Sequence, residues 1–239
     1  MTMHTGMSRW TIQVSGALSD LSRIALELRN GDPCGVVRDE SLYIESSEVD
    51  RAKSRIAAEW VAFDFTKLLL AVFEMNFGER AILHLISVRE SGSDVNYRLP
   101  VRQNSEPTLF QQMIRLALDR PHARGAILAY ASGGADGLFR AYEALTYEIL
   151  NLGLTPSSTG VGTKQWLVEN GWITEAEDDR FLSTVLHFRN YQDRQSAENA
   201  LAIKEAQVLV RRILVNFLDH CLKTRTSAGE IGKRVPHAI

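Results

Sequence analysis

RQNSEP, residues 102–107, separates two stretches of different character. The run is polar and ends in proline, the composition of a connection between packed elements. Before it, segments that alternate apolar and polar residues are interleaved with segments of helical period. After it, apolar residues recur only at spacings of three and four. A first part that mixes strands with helices, followed by a part that is helical only, predicts an α+β fold. The expected layout is a small antiparallel sheet with a long helix over 1–105, an all-helical bundle over 106–223, and a polar, flexible tail over 224–239.

Working back from the run, VNYRLPV (95–101) sets Val95, Tyr97, Leu99 and Val101 on one face. Pro100 has no N–H to give a ladder, which places this strand at a sheet edge. AILHLISVR (81–89) is the strand before it. Ser47 is positioned to cap a long helix from about Val49 to Met75, with Glu48 and Asp50 favouring its positive end. Ala57, Val61, Phe65, Leu68 and Val72 form its apolar face, which Trp60 and Phe63 widen, so cover on two sides is expected. Val36–Ser46 reads as two short strands bent at Asp39-Glu40, with Leu42 and Ile44 facing one way. WTIQVS (10–15) is the first strand, Leu18–Leu28 a helix, and Asn30-Gly31-Asp32-Pro33 the turn that ends it.

Working forward, helices are expected at 109–118, 123–130 and 137–150, the last with Leu138, Tyr142, Leu145 and Ile149 aligned. A loop at 155–163 leads to a short helix at 164–169. Thr174-Glu175-Ala176-Glu177 is a capping box, opening a helix to about Phe188. The final helix runs from about Ala197 to Lys223. Ile203, Ala206, Val210, Ile213 and Phe217 line its buried face, with Lys204, Arg211, Arg212 and Asn216 on the wet one.

The whole chain has 239 residues, 45% hydrophobic and 23% charged, with a formal net charge of -2. That excludes global disorder, a collagen-like repeat and a disulfide scaffold. It also argues against a nucleic-acid field spread over the whole surface. Two cysteines far apart, Cys34 and Cys221, read as reduced thiols of a cytoplasmic protein. Met1–Trp10 lacks the pattern of a signal peptide. Trp60–Met75, broken by Asp64 and Lys67, is too short and too charged for a membrane span. None of the six histidines pairs with another at i, i+4, and there is no CxxC, so neither a metal site nor a cofactor is expected. The glycine-rich pieces at 132–137 and 160–164 do not match a phosphate cradle and read as helix–helix turns. Glu177, Asp178 and Asp179 read as the solvated first turn of a helix, and Trp166 and Trp172 as a wedge between short helices.

Residues 187–195 concentrate polar groups between the last two helices. Arg189 and Arg194 are candidates for phosphate, with His187, Asn190, Asp193 and Gln195 completing a polar site. Arg140 is a further candidate, and Lys204, Arg211 and Arg212 add a basic stripe.

WTIQVSG, GDPCGVVRDESLYIESSEVD, LFRAYEALTYEI, KQWLVENGWITEAEDDRFLSTV and KEAQVLVRRILVNFL together resemble a large group of uncharacterised bacterial proteins of about this length. The resemblance implies an N-terminal α/β part joined to a helical part, and no chemistry. The C-terminal half is also similar to HEPN helical domains, many of them RNases with an Arg-x4-6-His motif. Arg189-Asn190 matches the start of that motif. Arg194 stands where the histidine belongs, and metal-independent RNA cleavage needs such a proton carrier. His187 is the nearest substitute. The similarity therefore implies an RNA-binding module of a stress or phage-defence system, with catalysis unresolved. The rival expectation is a non-catalytic protein-interaction or oligomerisation module. It would dock a partner protein or a second copy through the 95–101 edge strand or the apolar surplus of the long first-half helix.

Overall fold

The computed structural model describes residues 8–29, 31–90, 106–155, 160–189 and 200–231. By its contacts the chain divides into two units, Met1–Leu118 and Asp119–Ile239. The expected edge strand at 95–101 lies outside the described residues.

Among its described residues the first unit is built on a four-stranded antiparallel sheet of order β2-β3-β1-β4, from β1 (Trp10–Gly16), β2 (Cys34–Arg38), β3 (Ser41–Glu45) and β4 (Leu83–Glu90). Alternation in β1 buries Trp10, Ile12 and Val14 on one face. Ile12 pairs with Ile44 and Val14 with Leu42, so β3 adds to that same face. Val88 of β4 sits opposite Ile12, and a bulge follows, where Gln13 pairs with Ser87 but Val14 with Leu85. At the end of β1 the backbones close up: a Cβ on Gly16 would lie 2.5 Å from the Ile82 carbonyl oxygen. Asp39 and Glu40 turn the β2–β3 hairpin, both with positive φ (46° and 57°), the geometry of a two-residue turn whose hand matches strand twist.

The inner face is covered by α1 (Leu18–Glu27), which packs on β2 and β3, and by α3 (Arg55–Phe77), which packs on β4. Leu21, Ile24 and Leu28 from the first, and Phe65, Leu68, Leu69 and Val72 from the second, are fully buried. The expected single helix from Ser47 is in fact two. Ser46 caps a short α2 (Ser47–Asp50), accepting from the Glu48 N–H, and Ser54 caps α3, accepting from the Ala57 N–H. The break has a visible cause. The Asp50 carboxylate accepts from the Ser8 hydroxyl and from the N–H groups of Arg9 and Trp10, and the Trp10 indole N–H reaches the Ala52 carbonyl. Residues 51–54 are thereby held against β1 and cannot continue the helix. Gly78, with φ 72°, ends α3 in the left-handed conformation.

After the polar run comes α4 (Leu109–Asp119), which by its contacts goes with the first unit. The buried Gln111 side chain donates to the Pro33 carbonyl, the Thr108 hydroxyl donates to the Glu27 carbonyl, and Phe110 stacks on Phe77.

The second unit is helical throughout its described residues: α5 (Pro121–Ser132), α6 (Gly134–Asn151), α7 (Gly160–Glu169), α8 (Glu175–Arg189) and α9 (Ile203–Ile231). Gly133 and Gly134, with φ 70° and 67°, make the tight bend between α5 and α6. Leu138, Ala141, Leu145 and Ile149 of α6 and Ala206, Val210, Ile213 and Phe217 of α9 are buried. The α9 helix runs to Ile231, past Lys223 where the sequence pattern ended it. Likewise α7 opens at Gly160, within the stretch expected as loop.

Candidate functional site

The surface of α3 departs most from expectation. Trp60 and Phe63 do not widen a buried face. Trp60 is 69% exposed, Phe63 45% and Ile56 70%. Spacings of four and three put these side chains on one stripe of the helix. On the buried side of α3, Phe65, Leu68 and Val72 lie as expected, and Ala58 and Ala62 are buried where Ala57 and Val61 were expected. Lys67 continues the exposed stripe, its ammonium 4.1 Å from the centre of the Phe63 ring. Glu59 and Asp64 flank it, bridged to Arg55 and Lys67.

At the head of this stripe lies a half-open cleft of about 270 Å³, lined by Trp10, Arg55, Val88, Arg89 and Glu90. Arg9 stands over the Trp10 ring at 5.1 Å and approaches Glu90 at 3.6 Å. Guanidinium groups beside an indole suit a planar anion such as a carboxylate or phosphate. The cleft lining holds neither a nucleophile nor an imidazole. Among the described residues no group of His, Cys, Asp and Glu is arranged to hold a metal ion.

The phosphate candidates named from sequence belong to the second half of the chain, and only some of them are described. Arg194, Asn190, Asp193 and Gln195 lie outside the described residues, as do the side chains of Arg189 and His187. Arg140 bridges to Asp136, one turn earlier on α6, at 2.8 Å. Arg212 bridges to Glu177 at 2.8 Å and donates to the Trp172 carbonyl. Arg211 is half-buried, and Lys204 is exposed at the start of α9. Arg212 is thus part of the joint between α8 and α9.

In the acidic turn 177–179, expected to be solvated, Asp179 is exposed but Asp178 is not. Asp178 is 1% exposed, its carboxylate accepting from the Tyr142 hydroxyl at 2.6 Å and facing Lys164 Nζ at 3.2 Å. Its outer neighbour Asp179 also holds Lys164, at 2.8 Å. The signal for this was in the sequence. Asp178 stands three residues before Phe181, on the same face of α8, and Tyr142 belonged to a buried stripe where its hydroxyl needed an acceptor. The capping box forms as expected, with Glu177 accepting from the Thr174 N–H and Thr174 from the Glu177 N–H. Trp166 and Trp172 meet edge to face at 4.7 Å, as a wedge should, and His220 supplies a third ring at 5.6 and 5.9 Å.

No family model, curated protein or solved structure matches this chain. Among the described residues no helix is long and apolar enough to cross a membrane.

Proposed function

We propose that the chain is a non-catalytic protein-interaction module whose docking face is the outer stripe of α3. The observation that carries this reading is the exposure of Ile56, Trp60 and Phe63 along two turns of one helix. Scattered apolar residues are ordinary on a surface, but large ones aligned on a single helix face suit an interface. Aromatic anchors of this kind dominate the energetics of protein interfaces. Two buried cysteines, neither in a disulfide, are consistent with a reducing, cytoplasmic setting. The test is selection of binding peptides by the full chain, followed by titration against a Trp60→Ser/Phe63→Ser variant. Loss of binding by about tenfold or more, with unfolding unchanged, supports the reading. Equal affinity for both proteins removes it. Light scattering on the same samples separates a partner protein from a second copy.

A second reading, RNA binding by an HEPN-like helical half, draws its support from Lys204, exposed at the head of α9. Filter binding at two salt concentrations, with an Arg189→Ala/Arg194→Ala variant, tests it. RNA binding that weakens with salt and with the substitutions supports it. Binding that is absent or indifferent to them rejects it.

A further inference from the structure

Arg55 belongs to both parts of the candidate site: it opens α3 and lines the cleft. Cations gather at this end of the unit. Arg51 and Lys53 lie on the link into α3, Arg9 covers the Trp10 ring, and Arg89 lines the cleft. Of the neighbouring acids, Asp50 and Glu48 are turned inward, Glu59 is partly exposed beside Arg55, and Glu90, 64% exposed, lines the cleft itself 3.6 Å from Arg9. Asp50 is held by Ser8 and by two backbone N–H groups. Glu48 is 19% exposed against 76% for its partner Arg51, and Glu59 45% against 71% for Arg55. The cation is therefore the outer member of both pairs. The positive end of the α3 dipole lies at the same place, where the N–H groups of Arg55 and Ile56 have no acceptor within the helix.

We propose that the partner of this face is an acidic amphipathic protein segment. Its apolar side chains lie on Ile56, Trp60 and Phe63, and its carboxylate enters the cleft between Arg55 and Arg89. This rests on the interaction-module reading and names the partner it takes. The stripe spans about 11 Å at 1.5 Å per residue, so two turns of a partner helix cover it. Glu59 and Asp64 on its flanks oppose a uniformly anionic surface, whether lipid or polynucleotide. A segment with its acids gathered at one end meets the cations and keeps clear of Asp64, competing with Glu59 only at Arg55.

The test is fluorescence anisotropy with labelled synthetic helices that carry apolar residues at i, i+3 and i+7 and three glutamates at one end or the other. Lysine versions of the same peptides, a single-stranded RNA and vesicles containing anionic lipid are run beside them. One acidic peptide is expected to bind at least about tenfold more tightly than its lysine version, and less tightly as salt rises. Arg55→Glu/Arg89→Glu is expected to remove that preference, and Arg55→Gln/Arg89→Gln to reduce it with unfolding unchanged. If charge changes do nothing while Trp60→Ser/Phe63→Ser abolishes binding, the acidic partner is overturned and the docking face stands. If neither pair of substitutions matters, the docking face falls too. Tighter binding of RNA or vesicles than of either acidic peptide, or no peptide binding at all, also overturns the proposal.

Discussion

The Tyr142 hydroxyl donates to one oxygen of Asp178 while Lys164 Nζ approaches the other, so a single buried carboxylate ties α6, α7 and α8 together. Burial pushes the Tyr142 phenol well above its ordinary range, and its hydrogen bond to Asp178 pushes the same way. Asp178→Ala leaves that hydroxyl buried without its acceptor and Lys164 with Asp179 alone. Urea unfolding is expected to show a loss of about 2–3 kcal/mol for Asp178→Ala and about 1 kcal/mol for Tyr142→Phe. Equal losses would mean that the ammonium contributes nothing through Asp178.

Glu177 links the capping box to Arg212. Burial works to raise its carboxyl, but the Arg212 guanidinium and the Thr174 N–H and hydroxyl outweigh that and hold it below its ordinary value near 4.5. A depressed carboxyl stabilises the fold above its unfolded value, and that contribution disappears as pH falls through the folded one. Wild-type stability is therefore expected to drop more steeply than that of Glu177→Gln between about pH 5 and pH 3. Lys164 has the opposite sign: hydrogen bonds to Asp179 and Asp178 raise it above 10.5, so its contribution is present below that value and lost in strong alkali. Parallel acid limbs for wild type and Glu177→Gln would show that the Arg212 contact is idle in solution.

Burial pushes the Cys221 thiol up to about 11, with Arg120 pulling it down and Glu148 pushing it further up. Cys34 is also buried and in no disulfide. A thiol reagent at about pH 7.5 is expected to find both cysteines inert in the native chain and reactive after unfolding in guanidinium. A native thiol that reacts within seconds contradicts the packing around α9 or β2.

The hairpin turn offers a gain. Asp39 and Glu40 both hold the left-handed conformation, which asparagine and glycine adopt at lower cost. Asp39→Asn/Glu40→Gly is expected to raise stability by about 1 kcal/mol in a urea titration. A lower midpoint would show that the turn is held by contacts of the native side chains.

Much of the fold was legible because its signals are local. Alternation in β1, the bend at Asp39-Glu40, the Thr174–Glu177 box and the α6 stripe each need only a few neighbouring residues. What escaped depends on distance. The break after Asp50 comes from the pull of Ser8, Arg9 and Trp10, some 40 residues earlier. Trp60 and Phe63 have the composition of a core, and period alone cannot tell a face covered within the chain from one left open. The cleft escaped for the same reason, since Trp10, Arg55 and Arg89 meet only after β1, α3 and β4 are in place. Asp178 was missed because a triple acid at a helix start is usually wet, and its three-residue spacing to Phe181 was the overlooked clue.

The docking of α4 has a practical consequence for dissecting the protein. A fragment cut at residue 105 would strip Phe110 from the Phe77 ring and remove the Gln111 amide from the Pro33 carbonyl. Such a piece would be sticky and short-lived for want of its last helix. One ending at Asp119 carries its own clasp, and is the better candidate for a free-standing N-terminal half.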